Sequence, residues 1–156
     1  QRGRRFDGFG RANDWWTPAI EAQFQARARR LVEQFNAYTP LPGRHVNGEL
    51  TLVENIGDLS GLAVAIQAYR ASLGGKPGPT LDGFTAEQRL LLRWAQVWRG
   101  KTREAYVRQT LFLEQHAPPQ YRAHGSLVNI DAFYEAFNVQ PGDKLYLDPK
   151  NRVRIW

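Results

Sequence analysis

Two carboxylates stand four residues apart, Glu54 and Asp58, at the head of a segment with no other charge until Arg70. In a helix that spacing places both on one face. Two acids pointing the same way in a partly buried place repel each other and resist desolvation, so they need a cation, donors or a proton. A metal centre answers the need, with one carboxylate on the ion and the other orienting a neighbouring ligand. A plainer reading is also open. Thr51-x-x-Glu54 has the spacing of a capping box, in which Glu54 reaches back to the helix start and Asp58 is an acid favoured by the helix dipole. On spacing alone the cap is the commoner explanation. His116 and Arg122 are the other residues able to act on a substrate. Either could equally be structural: His116 as a packed loop residue before Pro118-Pro119, Arg122 as an ion-pair partner for Glu114 or Asp131.

The segment carrying the two acids must position them. Leu52, Ile56, Leu59, Ala63 and Ile66 recur at helical spacing, and Gly57, Gly61, Ala65 and Ala68 take the opposite side. A helix apolar on one side and small on the other is expected to be packed on both. The spacing predicts this helix from Thr51 to about Leu73, ended by Gly74-Gly75, after a turn at His45 to Leu50. Before it, Thr17-Pro18 caps and starts an amphipathic helix to about Tyr38, with Phe24, Ala28, Leu31 and Phe35 inward. After it, Thr85-x-x-Gln88 opens a third helix through Trp98, and Thr102 a fourth to about Gln115. A loop is predicted from His116 to Gly125, then a short helix opened by Asn129 and a tail, Lys144 to Trp156, with one small strand. The reading is mainly α, a single unit over residues 1–156.

Composition bounds the rest. The chain has 42% hydrophobic and 23% charged residues, ordinary for a globular protein and unlike a disordered one. No apolar run reaches the roughly 18 residues that suggest a membrane span. There are no cysteines, hence no disulfide and no thiolate ligand. The formal charge of +6 raises the question of nucleic acid. However, the basic residues are scattered outside Arg2-Arg4-Arg5 and Arg27-Arg29-Arg30, and no segment interleaves aromatics with basics, so no nucleic-acid partner is expected. Gln1-Arg2-Gly3-Arg4-Arg5-Phe6 has no initiator Met and no signal-peptide pattern, and reads as a start in mid-protein.

The order of several motifs carries more. Asn47-Gly48-Glu49-Leu50-Thr51-Leu52-x-Glu54-Asn55-Ile56-x-Asp58 resembles the third-ligand signature of the neprilysin and endothelin-converting-enzyme family of zinc peptidases. His116-x-Pro118-x-x-Tyr121-Arg122-x-x-Gly125 resembles that family's substrate-binding loop. Asn129-x-x-x-Phe133-x-x-Ala136-Phe137, Pro141-Gly142-Asp143-x-x-Tyr146, the terminal Arg154-Ile155-Trp156, and Gly3-Arg4-Arg5-Phe6-Asp7 with Asp14-Trp15-Trp16-Thr17 near the start extend the likeness along the chain.

The resemblance implies the compact helical C-terminal part of a thermolysin-like (zincin) catalytic domain, with at most a few short strands. It implies Glu54 as the third zinc ligand, Asp58 holding a ligating histidine in orientation, His116 donating to the oxyanion, and Arg122 gripping a substrate carbonyl. The reaction would be hydrolysis of peptide bonds by a zinc-activated water. Family members also carry His-Glu-x-x-His, which supplies two ligands and the general base. The only histidines here are His45, His116 and His124, no two of them four apart. The chain is therefore expected to begin just after that motif and to be inactive alone, with the upstream portion of its own polypeptide as partner and a peptide as substrate. Gly57 stands where the family more often has Ala, and Val153 where animal members tend to have Cys, so a bacterial relative is expected. Its parent would work in the cell envelope or outside the cell, a cytoplasmic location remaining open. The alternative is a helical module that keeps the fold and binds peptides through His116 and Arg122 without cleaving them.

Overall fold

The computed structural model describes residues 2–156. Gln1 and the side chain of Arg2, the first members of the basic start, lie outside that description. Six α helices surround one apolar cluster: α1 (Pro18–Asn36), α2 (Gly48–Ser72), α3 (Ala86–Val97), α4 (Glu104–Thr110), α5 (Pro119–Leu127) and α6 (Asp131–Phe137). Two single 3₁₀ turns, Arg2–Arg5 and Pro149–Asn151, complete the regular structure.

The cap signals worked where side chain and backbone could both comply. Thr17 accepts from the Ile20 amide with Pro18 at the first helical position. The Thr85–Gln88 capping box is made in both directions. Helix α2, however, starts at Gly48, three residues earlier than its apolar pattern predicts, because Asn47 is the cap and accepts from the Leu50 amide. Thr51 is thus inside the helix, and its hydroxyl donates to the Asn47 carbonyl rather than facing Glu54. That removes the capping-box reading of Glu54. Gly48 is required there: a Cβ would collide with the Val32 carbonyl of α1, and the Gly48 amide instead donates to Asn36 Oδ1 at 2.7 Å.

Helix α1 packs on α2, α5 lies across both, and α6 packs on α3. Phe24, Ala28, Leu31 and Phe35 of α1 meet Leu59, Leu62 and Ile66 of α2 in the core. The expected second packed face of α2 is not there. Gly57, Gly61, Ala65 and Ala68 face outward together with Val53 and Val64, and a Cβ on either glycine would meet nothing within 4 Å.

Four further expectations are corrected. The predicted loop from His116 to Gly125 is helical from Pro119, since Pro119 presets the first turn and Ala123, Gly125, Ser126 and Leu127 are buried. Gly125 allows this packing, because a Cβ there would stand 2.5 Å from Phe35 Cζ. Asn129 does not cap α6. It is buried and bonds Gln34 Oε1, the Gly125 carbonyl and the Val153 amide, tying α1, α5 and the tail together. The tail forms no strand; Val153 and Ile155 turn inward singly, and Arg152 lies 3.4 Å from the Tyr134 ring centre. The fourth helix is not capped by Thr102: it starts at Glu104 after Arg103, which makes no side-chain cap bond, and it ends at Thr110 rather than near Gln115. Isolated bridges such as Phe6–Ala12 are the only β pairing among the described residues.

Candidate active site

Helix α2 presents Glu54 and Asp58 one turn apart, and the segment leading into and along α5 runs over them. Asp58 is nine-tenths buried and receives Arg122 in two-pronged fashion, Nε to Oδ2 at 2.6 Å and Nη2 to Oδ1 at 2.7 Å. The guanidinium also lies over the Trp98 ring, 3.9 Å from its centre. Charge pairing and stacking together fix its plane, which an ammonium could not reproduce. Asp58 was expected to orient a histidine. Each carboxylate oxygen has two acceptor positions, so the Arg122 contacts leave capacity for a further donor.

One turn earlier, His116 stands between two acids. Its Nε2 is 3.0 Å from Glu54 Oε2, and its Nδ1 is 2.6 Å from Glu114 Oε1, which also accepts the His116 amide. The His116 contacts, side chain first, hold the Glu114 carboxyl below the usual carboxylate range. His116 and Arg122 both line an open groove of about 440 Å3, with Trp98, Tyr106 and Tyr121 among its walls.

All four residues singled out in the sequence are therefore brought together. Two contributors were missed. Glu114 was weighed as a partner for Arg122, whereas its spacing of two from His116 was the available signal. Trp98 was seen only as the end of a helix. Arg122 pairs with neither Glu114 nor Asp131; the latter is bonded to Arg152 and Arg154. Nothing in the sequence points to the Asp58–Arg122 pair across 64 residues.

Glu54 suits one corner of a zinc site. It is a half-buried carboxylate with no Lys or Arg partner among the described residues, and its neighbour is an imidazole. The set is incomplete within this chain: no group of three His, Cys, Asp or Glu able to hold a metal occurs among the described residues. A catalytic zinc normally takes three protein ligands.

Comparison with known proteins identifies the family. The family model of Peptidase family M13 matches residues 1–153. The sequence is 36% identical to human membrane metallo-endopeptidase-like 1 over 160 residues, which covers 99% of this chain and 20% of that protein. It is 34% identical to a neutral endopeptidase of Lactobacillus helveticus over 154 residues, 99% of this chain and 22% of the relative. Among solved structures, a Mycobacterium tuberculosis zinc metalloprotease, Zmp1 in complex with inhibitor, superposes with a TM-score of 0.95 at 48% identity, covering 100% of this chain and 25% of that one. The chain belongs to peptidase family M13. It spans about a fifth of the length of the curated relatives it matches.

Proposed function

We propose that this chain is the C-terminal part of a zinc-dependent metalloendopeptidase, supplying one zinc ligand and the groups that hold and polarise a peptide. The observation that carries the reading is the placement of His116: one ring nitrogen on Glu54, the other on Glu114, six residues before an Arg122 that opens onto the same groove. Glu54 would hold the ion. When bound, zinc supplies Lewis acidity and an activated water.

The chain's own residues do the rest. With Nδ1 engaged by Glu114, His116 would turn its Nε2–H, which here meets Glu54 Oε2, to the oxyanion that forms as the carbonyl carbon becomes tetrahedral. Arg122 gives Nε–H and one Nη2–H to Asp58, leaving its remaining N–H groups to grip a substrate carbonyl. Asp58 thereby sets the position of Arg122 and, through its spare lone pairs, can also orient a ligating histidine.

The missing ligands and general base would come from the upstream portion of the same polypeptide. The outward stripe of Val53, Gly57, Gly61, Val64 and Ala68 supports this, because it runs beside Glu54 and is small enough for another helix to approach closely. The cell envelope or the outside of the cell is the location we propose for the parent, a reading supported by the membrane metallo-endopeptidase name of one relative. No helix of this chain is long and apolar enough to cross a membrane among the described residues.

The test is made in the full-length peptidase. Glu54→Gln should strip the zinc, measured by metal content after dialysis, while His116→Ala should keep the zinc and lower kcat by about 10²–10³-fold, the usual effect of losing one oxyanion donor. Unchanged zinc and turnover in Glu54→Gln would defeat the assignment. Peptide binding without any cleavage by the unsubstituted protein would favour the non-enzymatic peptide-binding module instead.

A further inference from the structure

On the other side of Tyr121 from His116 and Arg122 lies a second hollow, of about 640 Å3, walled by α1, α5 and the Lys144–Leu147 segment. Tyr38 and Tyr121 stack face to face along it, ring centres 4.7 Å apart and planes 15° off parallel. The Tyr38 hydroxyl accepts from Gln34 Nε2 at 2.9 Å, so its own proton is left to give. Among the described residues that proton has no acceptor, and neither do the Tyr121 and Tyr146 hydroxyls, the His124 ring or Lys144 Nζ. These five groups belong to residues that line one cavity.

The charge is equally one-sided. Lys144 and Arg30 border the hollow, opposed by Glu33 alone, and none of the three forms a salt bridge among the described residues. Partial burial, with Lys144 adding to it, pushes the His124 imidazole below its ordinary value. A site with surplus donors and uncompensated positive charge calls for an acceptor-rich anion.

We propose that this hollow binds an acidic stretch of a peptide, with a Glu or Asp carboxylate seated between Lys144 and His124 and its flanking residues against the tyrosine rings. The acidic character follows from the donors alone. The choice of a peptide over a free anion rests on the reading of the adjoining groove as peptide-binding, because Gln120 and Tyr121 wall both.

The full-length peptidase is titrated with acetyl-Tyr-Glu-Glu-Gly-amide, with its Gln-Gln counterpart and with inorganic phosphate, following the His124 ring protons by NMR with labelled histidine. Expected is a saturable shift of His124 with the Glu peptide and a rise in its pH midpoint. Lys144→Gln should weaken binding about tenfold, the loss of one charge-assisted hydrogen bond, and Tyr38→Phe should weaken it less. Zinc content and turnover of the full-length peptidase, measured alongside, report on Glu54 and His116 rather than on this hollow, so that failure here and failure of the peptidase reading are told apart. Equal binding of the Gln peptide, binding that leaves His124 unmoved, or no binding would each overturn the proposal. Phosphate matching the peptide would overturn its peptide part and leave a plain anion site.

Discussion

The Asp58–Arg122 pair gives the sharpest energetic prediction, because the structure sets its magnitude. The two side chains are 10% and 14% exposed, so neither is well solvated if its partner is removed. Deleting one member of a buried pair costs about 3–5 kcal/mol, and the residual exposure here puts Asp58→Ala at about 3 kcal/mol. Arg122→Ala adds the loss of its seat on Trp98, about 1 kcal/mol, for a total near 4. Removing both leaves no stranded charge, so the double variant should fall short of the sum by about 2–3 kcal/mol. In a chain of this size, 3 kcal/mol corresponds to about 6–12 °C in Tm. Arg122→Lys keeps the charge but not the fork, and should recover only a minor share. The assay is urea unfolding of the four members of the cycle, followed by far-ultraviolet circular dichroism at low and high salt. Because the pair is buried, salt should change the coupling little. Single effects that add to within about 0.5 kcal/mol would refute the reasoning, since the pair would then contribute nothing beyond its separate parts.

Gly125→Ala forces a methyl against the Phe35 ring, 2.5 Å from Cζ, and should destabilise the fold by about 1–3 kcal/mol in the same unfolding assay. Gly61→Ala meets open space in a helix interior and should instead stabilise the isolated chain by about 0.5–1 kcal/mol. In the full-length peptidase the same methyl stands in the stripe read as the seat of the upstream portion, so activity there should fall while the isolated chain gains. His124 is held below its ordinary value, so the unfolded chain binds more protons in the window just under pH 6.5 and stability rises with pH through that window. His124→Gln should flatten that slope, measured as urea midpoint against pH.

How much of this could be read in the sequence depended on whether the deciding contact was local. Thr17 with Pro18 and the Thr85–Gln88 box involve residues three apart or fewer, and both were legible. The start of α2 was misread because Asn47 is also a good cap, and the apolar pattern that drew attention to Thr51 says nothing about which cap the backbone uses. Helix α5 was read as a loop because its sequence, with Pro118 before it, Pro119 as its first residue and Gly125 within it, lacks helical strength of its own. It forms where Phe35 of α1 packs against Gly125, a contact across 90 residues. The four candidate residues were singled out through the order of their motifs, and the structure brings them together. Their partners were not legible: Arg122 meets Asp58 and Trp98 only once α2, α3 and α5 have packed.

The packing of α5 against α2 also explains why two acids four residues apart meet different fates. One turn of α2 raises Asp58 about 6 Å above Glu54 along the helix axis. The overlying segment covers the same span with His116, the Pro118-Pro119 step and the first turn of α5, so that His116 faces Glu54 and Arg122 faces Asp58. The permanent cation goes to the acid that the core has buried, where an unpaired charge would be costly. The imidazole, which can give up its contact, goes to the acid at the edge, beside the open stripe. Glu54 is therefore left without a fixed cation on the side where another part of the protein can bring one. The register of α5 on α2, set by where Pro119 starts the helix, decides which carboxylate is paired with a fixed cation and which is left for the metal that the proposed function assigns to it.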